Sequence, residues 1–165
     1  MRWFVALTGL FCIAASCALT PGKPWLIYNG SPSVPIGFYV RSTTRPSLGA
    51  FVTVRAAAVA SDYAHVRQFD GSRDWFIKRV AATAGSLVCA REDHVDVGRV
   101  QLARLERDRA GRPLPQWREC RTLRRDEFFL AGDSVDSFDS RYWGPVHADE
   151  IEGVWTPLYP TQGKS

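Results

Sequence analysis

Hydrophobic positions along this chain fall into two regimes. Residues 3–19 are apolar and carry no charge, with Arg2 before them and a Pro/Gly/Lys stretch after them. From Trp25 onward the apolar residues come in short runs that alternate with polar ones and stop at Gly, Pro, Asn, Asp or Ser. A period of two bounded by turn formers is the pattern of half-buried strands, because successive side chains of a strand point to opposite faces. It predicts strands at 25–28, 37–41, 51–55, 75–81, 87–90, 127–130 and 151–158, with one helix candidate in the alanine-rich stretch 56–69. No internal repeat or low-complexity tract is visible. The predicted fold class is mainly β.

The first regime predicts a membrane segment. At ~1.5 Å rise per residue a helix over 3–19 reaches ~26 Å, close to a ~30 Å hydrocarbon core. Trp3 suits the interface. An uncleaved anchor over 1–19, followed by a linker at 20–24, is the first reading. Two others stay open: Ala14-Ala15-Ser16 or Ser16-Cys17-Ala18 as the cleavage site of a signal peptide, and Ala15-Ser16-Cys17 as a lipoprotein processing site. All three export the rest of the chain, a domain at 25–165, and the anchor keeps it beside a lipid bilayer.

Composition narrows the possibilities. The 165 residues, 45% hydrophobic and 23% charged, suit one globular domain with a sizeable core plus a short appendage. The net charge is +4, but the arginines are interleaved with acids, as at 104–109. That is a solvated surface rather than a nucleic-acid stripe, so no nucleic-acid partner is expected. Cys12 and Cys17 fall in the apolar segment, while Cys89 and Cys120 flank a charged insertion, 89–120. In an exported domain this pair reads as a disulfide worth ~3–4 kcal/mol, with two reduced structural cysteines as the alternative. No His or Cys spacing fits zinc, and the Asp-rich stretch 133–139 lacks the spacing of an EF-hand. Neither metal nor cofactor is expected.

Three stretches carry candidate chemistry. In Ser31-Pro32-Ser33-Val34-Pro35 each proline fixes its own φ and pushes the residue before it to extended geometry, so a hydroxyl there is oriented before any substrate arrives. A serine nucleophile needs a base. His65, His94 and His147 lie in no recognisable triad motif. On a strand through Phe76-Ile77-Lys78-Arg79-Val80, Lys78 shares a face with Phe76 and Val80 while Arg79 points away. An ordinary lysine, with a pKa near ~10.4, offers almost no free amine at neutral pH; burial can lower that value by ~3–5 units. The alternative is a lysine whose amine snorkels to water. The third stretch, Gly132-Asp133-Ser134-Val135-Asp136-Ser137-Phe138-Asp139-Ser140-Arg141-Tyr142-Trp143-Gly144-Pro145, follows a strand and crowds hydroxyls and carboxylates into a short span.

In this order the three stretches resemble the type I signal peptidase family of serine proteases, which use a Ser/Lys dyad. The resemblance covers the chain from about Tyr28 onward and is closest to the conjugal-transfer branch, the TraF peptidases. Ser33-Val34-Pro35 has a single residue between serine and proline, as in that branch, and the Cys89–Cys120 insertion also looks like it. The resemblance implies a signal-peptidase-like complex β fold with an N-terminal transmembrane helix and a small disulfide-closed insertion. It implies Ser33 as nucleophile, Lys78 as general base, and Ser31 with the Ser33 backbone N–H as the oxyanion hole. Ser137 matches the hydroxyl that positions the lysine amine, and Asp139 and Arg141 match a structural ion pair beneath the site. Phe38, Phe138 and Trp143 are candidates for shielding the site from water. The activity implied is processing of a membrane-inserted pilin precursor, with possible head-to-tail cyclisation, on the periplasmic side of a bacterial inner membrane. A general signal peptidase acting on other pre-proteins and a catalytically silent scaffold of a conjugation apparatus stay open. A DNA-damage repressor with the same dyad is disfavoured, because an apolar segment stands where its DNA-binding helices would be.

Overall fold

A computed structural model of the chain describes residues 23–158 apart from 70, 72 and 73. The predicted anchor at 1–19 and residues 20–22 of the linker lie outside the described residues. Among the described residues no helix is long and apolar enough to cross a membrane.

Two antiparallel sheets form the fold. The larger contains β1 (Leu26–Asn29), β2 (Gly37–Ser42), β3 (Phe51–Arg55), β4 (Trp75–Ala82), β9 (Glu127–Ala131), β10 (Val146–His147) and β11 (Ile151–Pro157). Its strand order is β1-β2-β11-β3-β4-β9-β10. The smaller runs β7-β6-β5-β8 and uses β5 (Leu87–Ala90), β6 (His94–Val97), β7 (Val100–Ala103) and β8 (Cys120–Thr122). Every predicted strand is present to within a residue or two. The helix candidate is instead two short helices, α1 (Ala56–Val59) and α2 (Ser61–Val66), which meet at Ala60. Neither has a side-chain N-cap, and two such short pieces depend on packing rather than on alanine propensity.

The larger sheet sets the site. β3 is buried from Phe51 to Val54, and its Val52 and Val54 pack with Val80, Leu130, Val146 and Val154. Each fully buried aliphatic side chain there contributes ~1.5–3 kcal/mol. The Thr53 hydroxyl in this strand accepts from the Trp155 indole N–H at 2.9 Å. On the other face Phe51 and Ile77 pack with Val34, Tyr39 and Trp155. Val34 therefore anchors the loop at 30–36 into the core. β4 lies between β3 and β9, with Lys78 opposite Val52.

The insertion is a second sheet plus an arm, 104–118, that returns to the first. Cys89 and Cys120 face each other across β5 and β8 and are joined by a disulfide. The arm is fastened to α3 (Ser140–Trp143): the Leu105 N–H donates to the Tyr142 hydroxyl at 3.0 Å, and Leu114 packs with Phe138 and Tyr142. Trp117 lies against Gly144, whose φ of 87° ends α3 and where a Cβ would meet the indole at 2.7 Å. Removing the disulfide releases the closure of a loop spanning 31 positions. The expected cost of Cys89→Ser with Cys120→Ser is ~3–4 kcal/mol in a urea titration. Non-reducing peptide mapping checks the bond itself, and two free thiols in exported protein would refute it.

Candidate functional site

A cleft of about 480 Å³ brings the three stretches together. Ser31, Ser33, Lys78 and Ser137 all line it, with Asn29, Tyr63, Phe69, Trp75, Phe76, Arg109, Asp136 and Phe138 among the other lining residues. None of the three histidines is in its lining. Asp139 and Arg141 are not in the lining either; they form a buried ion pair at 2.7 Å beside it.

Ser33 sits on the loop between β1 and β2. Its carbonyl accepts from the Asp133 N–H at 2.6 Å, which ties the loop to the turn after β9. The Ser31 hydroxyl donates to Ser33 Oγ at 3.1 Å and accepts from the Ser33 N–H at 3.3 Å. Two donors are thus gathered beside one hydroxyl.

Lys78 is only 4% exposed, so the strand alternation placed it correctly on the apolar face. Its neighbour Arg79 has the opposite environment: it pairs with Asp133 at 2.8 Å and covers Phe51 at 4.3 Å. Burial lowers the Lys78 pKa from its ordinary 10.5 to about 8. The carboxylate of Asp139 works against that shift and the guanidinium of Arg141 with it. About one amine in ten is then free at pH 7, against fewer than one in a thousand for a solvated lysine.

Ser137 is buried, and its hydroxyl has no hydrogen-bond partner among the described residues. A buried hydroxyl left unpaired costs about 1–3 kcal/mol, and its place in the cleft lining leaves it available to a group there. Gly132 explains how the turn comes so close. A Cβ at this position would overlap the Ser137 side chain and stand 2.7 Å from the Ser33 carbonyl oxygen. Gly132→Ala is therefore expected to cost about 1–3 kcal/mol and to reduce turnover at least tenfold, by driving apart the two stretches that carry Ser33 and Ser137. Wild-type kinetics in that variant would show that the approach is irrelevant.

The aromatic expectations divide. Phe138 lines the cleft, stacked on Tyr63 with ring centroids 3.4 Å apart. Trp143 is a layer behind, stacked on Phe76 at 5.2 Å, and Phe38 pairs with Tyr28 on the exposed edge of the sheet. Neither belongs to the lining. Arg109 and Asp136, which form an ion pair, were not singled out as site residues in the sequence. Arg109 reaches the cleft from the arm, whereas Asp136 stands on the turn after β9.

The profile of the family described as signal peptidase, peptidase S26, matches residues 1–159. Two proteins of Escherichia coli, each named plasmid transfer protein TraF, are 32% identical to the chain. One aligns over 142 residues, covering 79% of this chain and 80% of the relative, and the other over 174, covering 96% and 98%. A crystal structure of a signal peptidase I from Enterococcus faecalis superposes with a TM-score of 0.42 and 22% identity, covering 70% of this chain and all of that one; so loose a likeness adds nothing to the assignment. With a family match that spans nearly its whole length and one relative aligned almost end to end, the chain belongs to the signal peptidase S26 family of serine proteases and has a peptidase role.

Proposed function

We propose that this chain is a membrane-anchored serine endopeptidase that uses Ser33 and Lys78 to process a pilin precursor outside the cytosol. The observation that supports it most is the meeting of Ser33 with a buried, easily deprotonated lysine in one cleft. In this mechanism the Lys78 amine takes the Ser33 hydroxyl proton as Oγ attacks the scissile carbonyl. The Ser33 N–H and the Ser31 O–H, both already beside the nucleophile, donate to the developing oxyanion. The Lys78 ammonium then gives its proton to the departing amine, leaving an acyl-enzyme on Ser33. Ser137 supplies a hydroxyl to hold the lysine amine in place. Asp139 and Arg141 fix the turn beneath.

Two features support a membrane-side location on the periplasmic face of a bacterial inner membrane: the uncharged stretch 3–19 and a disulfide, which needs an oxidising compartment. The client is then another membrane-inserted chain, bound as an added β-strand with small side chains beside the cut. Its acyl-enzyme can be resolved by water or by the client's own N-terminal amine, since an oriented intramolecular nucleophile has an effective molarity of ~10⁵ M or more.

Co-expression with a conjugative pilin precursor, followed by intact-mass analysis, tests the reading. A product one water lighter than the trimmed linear chain is expected. A linear product alone removes cyclisation and leaves an endopeptidase. Unprocessed pilin refutes the pilin assignment, and cleavage of unrelated leader peptides would then identify a general signal peptidase.

A further inference from the structure

The loop that carries Ser33 cannot hold itself. Residues 30–36 join β1 to β2, and two of them, Pro32 and Pro35, have no backbone N–H. Its carbonyls need donors from elsewhere. One side chain supplies three contacts: the Asn29 amide nitrogen lies 2.8 Å from the Ser31 carbonyl oxygen, 3.0 Å from that of Val34 and 3.0 Å from that of Pro35. Its two N–H bonds are shared among them. The Asn29 Oδ1 in turn accepts from the Ser31 N–H at 3.1 Å. Asn29 is 6% exposed, and its backbone is fixed as the last residue of β1, opposite Gly37.

Two more clamps complete the set. The Tyr39 hydroxyl donates to the Pro35 carbonyl at 2.6 Å, and the Asp133 N–H to the Ser33 carbonyl at 2.6 Å. Burial pushes the Tyr39 pKa up to about 12, so that hydroxyl keeps its proton. The peptide planes whose carbonyls belong to Ser31, Ser33, Val34 and Pro35 are therefore each held. The plane between Pro32 and Ser33, which carries the Ser33 N–H, is set by held planes on both sides. Its direction decides where a negative oxygen is stabilised.

We propose that Asn29 is a positioning residue for acyl transfer: its side-chain amide shapes the 30–36 loop so that the Ser33 N–H and the Ser31 hydroxyl converge where the oxyanion forms. The proposal rests on Ser33 being the nucleophile. Asn29 acts through the loop, so it affects the transition state more than substrate binding.

Asn29→Asp separates this from a merely structural role. The carboxylate is nearly the same shape and still accepts from Ser31, but it has no N–H to give. Turnover of a peptide with alanines beside the cut should fall about 100-fold while KM stays within about threefold, the size expected when an oxyanion donor is misdirected. Circular dichroism at the assay temperature checks that the protein is folded. Asn29→Ala, which adds no charge to the cleft that Asn29 and Lys78 both line, should show a similar loss with the rising limb of its pH profile still near 8. A kcat within about threefold of wild type overturns the proposal. So does a loss confined to Asn29→Asp that comes with its limb moving to higher pH, which would make it a charge effect on Lys78. If Asn29→Asp fails to fold, Tyr39→Phe removes one clamp from the Pro35 carbonyl; about tenfold lower kcat at unchanged KM is expected, and unchanged kcat overturns the proposal. Wild-type turnover in Ser33→Ala would instead remove the nucleophile assignment on its own, whatever Asn29 does.

Discussion

Lys78→Met should abolish peptidase activity and, at neutral pH, make the protein more stable. Both effects come from one burial. With the folded pKa lowered from 10.5 to about 8, the folded chain must hold a poorly solvated ammonium at any pH below 8. The cost there is on the order of 3 kcal/mol. Between pH 8 and 10.5 the unfolded chain binds the proton and the folded chain does not, so wild-type stability climbs with pH through that window. Methionine fills a similar volume and carries no charge to desolvate. Melting curves should therefore show the variant ahead at pH 6 to 7 by an amount on the order of 3 kcal/mol, with the gap closing towards pH 10.5. A variant less stable than wild type at pH 7 would show that the amine is not desolvated.

Activity should change in the opposite sense. Without a base the Ser33 hydroxyl is a poor nucleophile, and the loss expected is ~10⁴-fold or more in kcat. Ser33→Ala should lose as much with little change in stability, since the two groups act as one unit. In wild type the rate should rise with pH through about 8, as the amine becomes free. A rate still rising steeply at pH ~10 would mean an ordinary solvated lysine.

How far the sequence foretold this site depends on the range of each interaction. Period-two alternation is local, so it located β4 and put Lys78 on its apolar face and Arg79 on the other. It missed β6, β7, β8 and β10. The first three lie in or beside the charged insertion, where polar residues such as Asp96 and Gln101 blur the pattern, and β10 is two residues long. The helix candidate at 56–69 is helical but interrupted at Ala60, a break that alanine-rich composition, which states only a propensity, does not reveal.

The motifs named Ser31, Ser33, Lys78 and Ser137, and all four line one cleft. What holds the stretches against each other was not visible. Gly132 reads as a turn former, yet its role is the space a side chain would occupy. Asn29 reads as the polar end of a strand, yet its amide serves a loop that prolines have stripped of donors. Such roles depend on three-dimensional closeness, and only the proline spacing in 31–35 hints at the second.

Asp139→Ala should be the most destabilising single change near the site. The carboxylate is fully buried, and it accepts from Arg141 Nε at 2.8 Å, Arg141 Nη2 at 2.7 Å and the Gly132 N–H at 2.8 Å. The Arg141 guanidinium also donates to the carbonyls of Ala103, Ser134, Val135 and Ser137. One ion pair thus joins the end of β7, the turn at 134–137 and α3. Removing the carboxylate leaves the guanidinium charge buried and uncompensated, at a cost of ~3–5 kcal/mol, a large part of the ~5–15 kcal/mol of a typical domain. An unchanged urea midpoint would show that the pair contributes nothing. A second readout separates this loss from simple unfolding. Asp139 raises the Lys78 pKa and Arg141 lowers it, so without the carboxylate the lysine of any folded variant should lose its proton more readily. The rising limb of its residual activity should move to lower pH than in wild type. A limb moving upward would mean that Asp139 does not act on the amine in this sense.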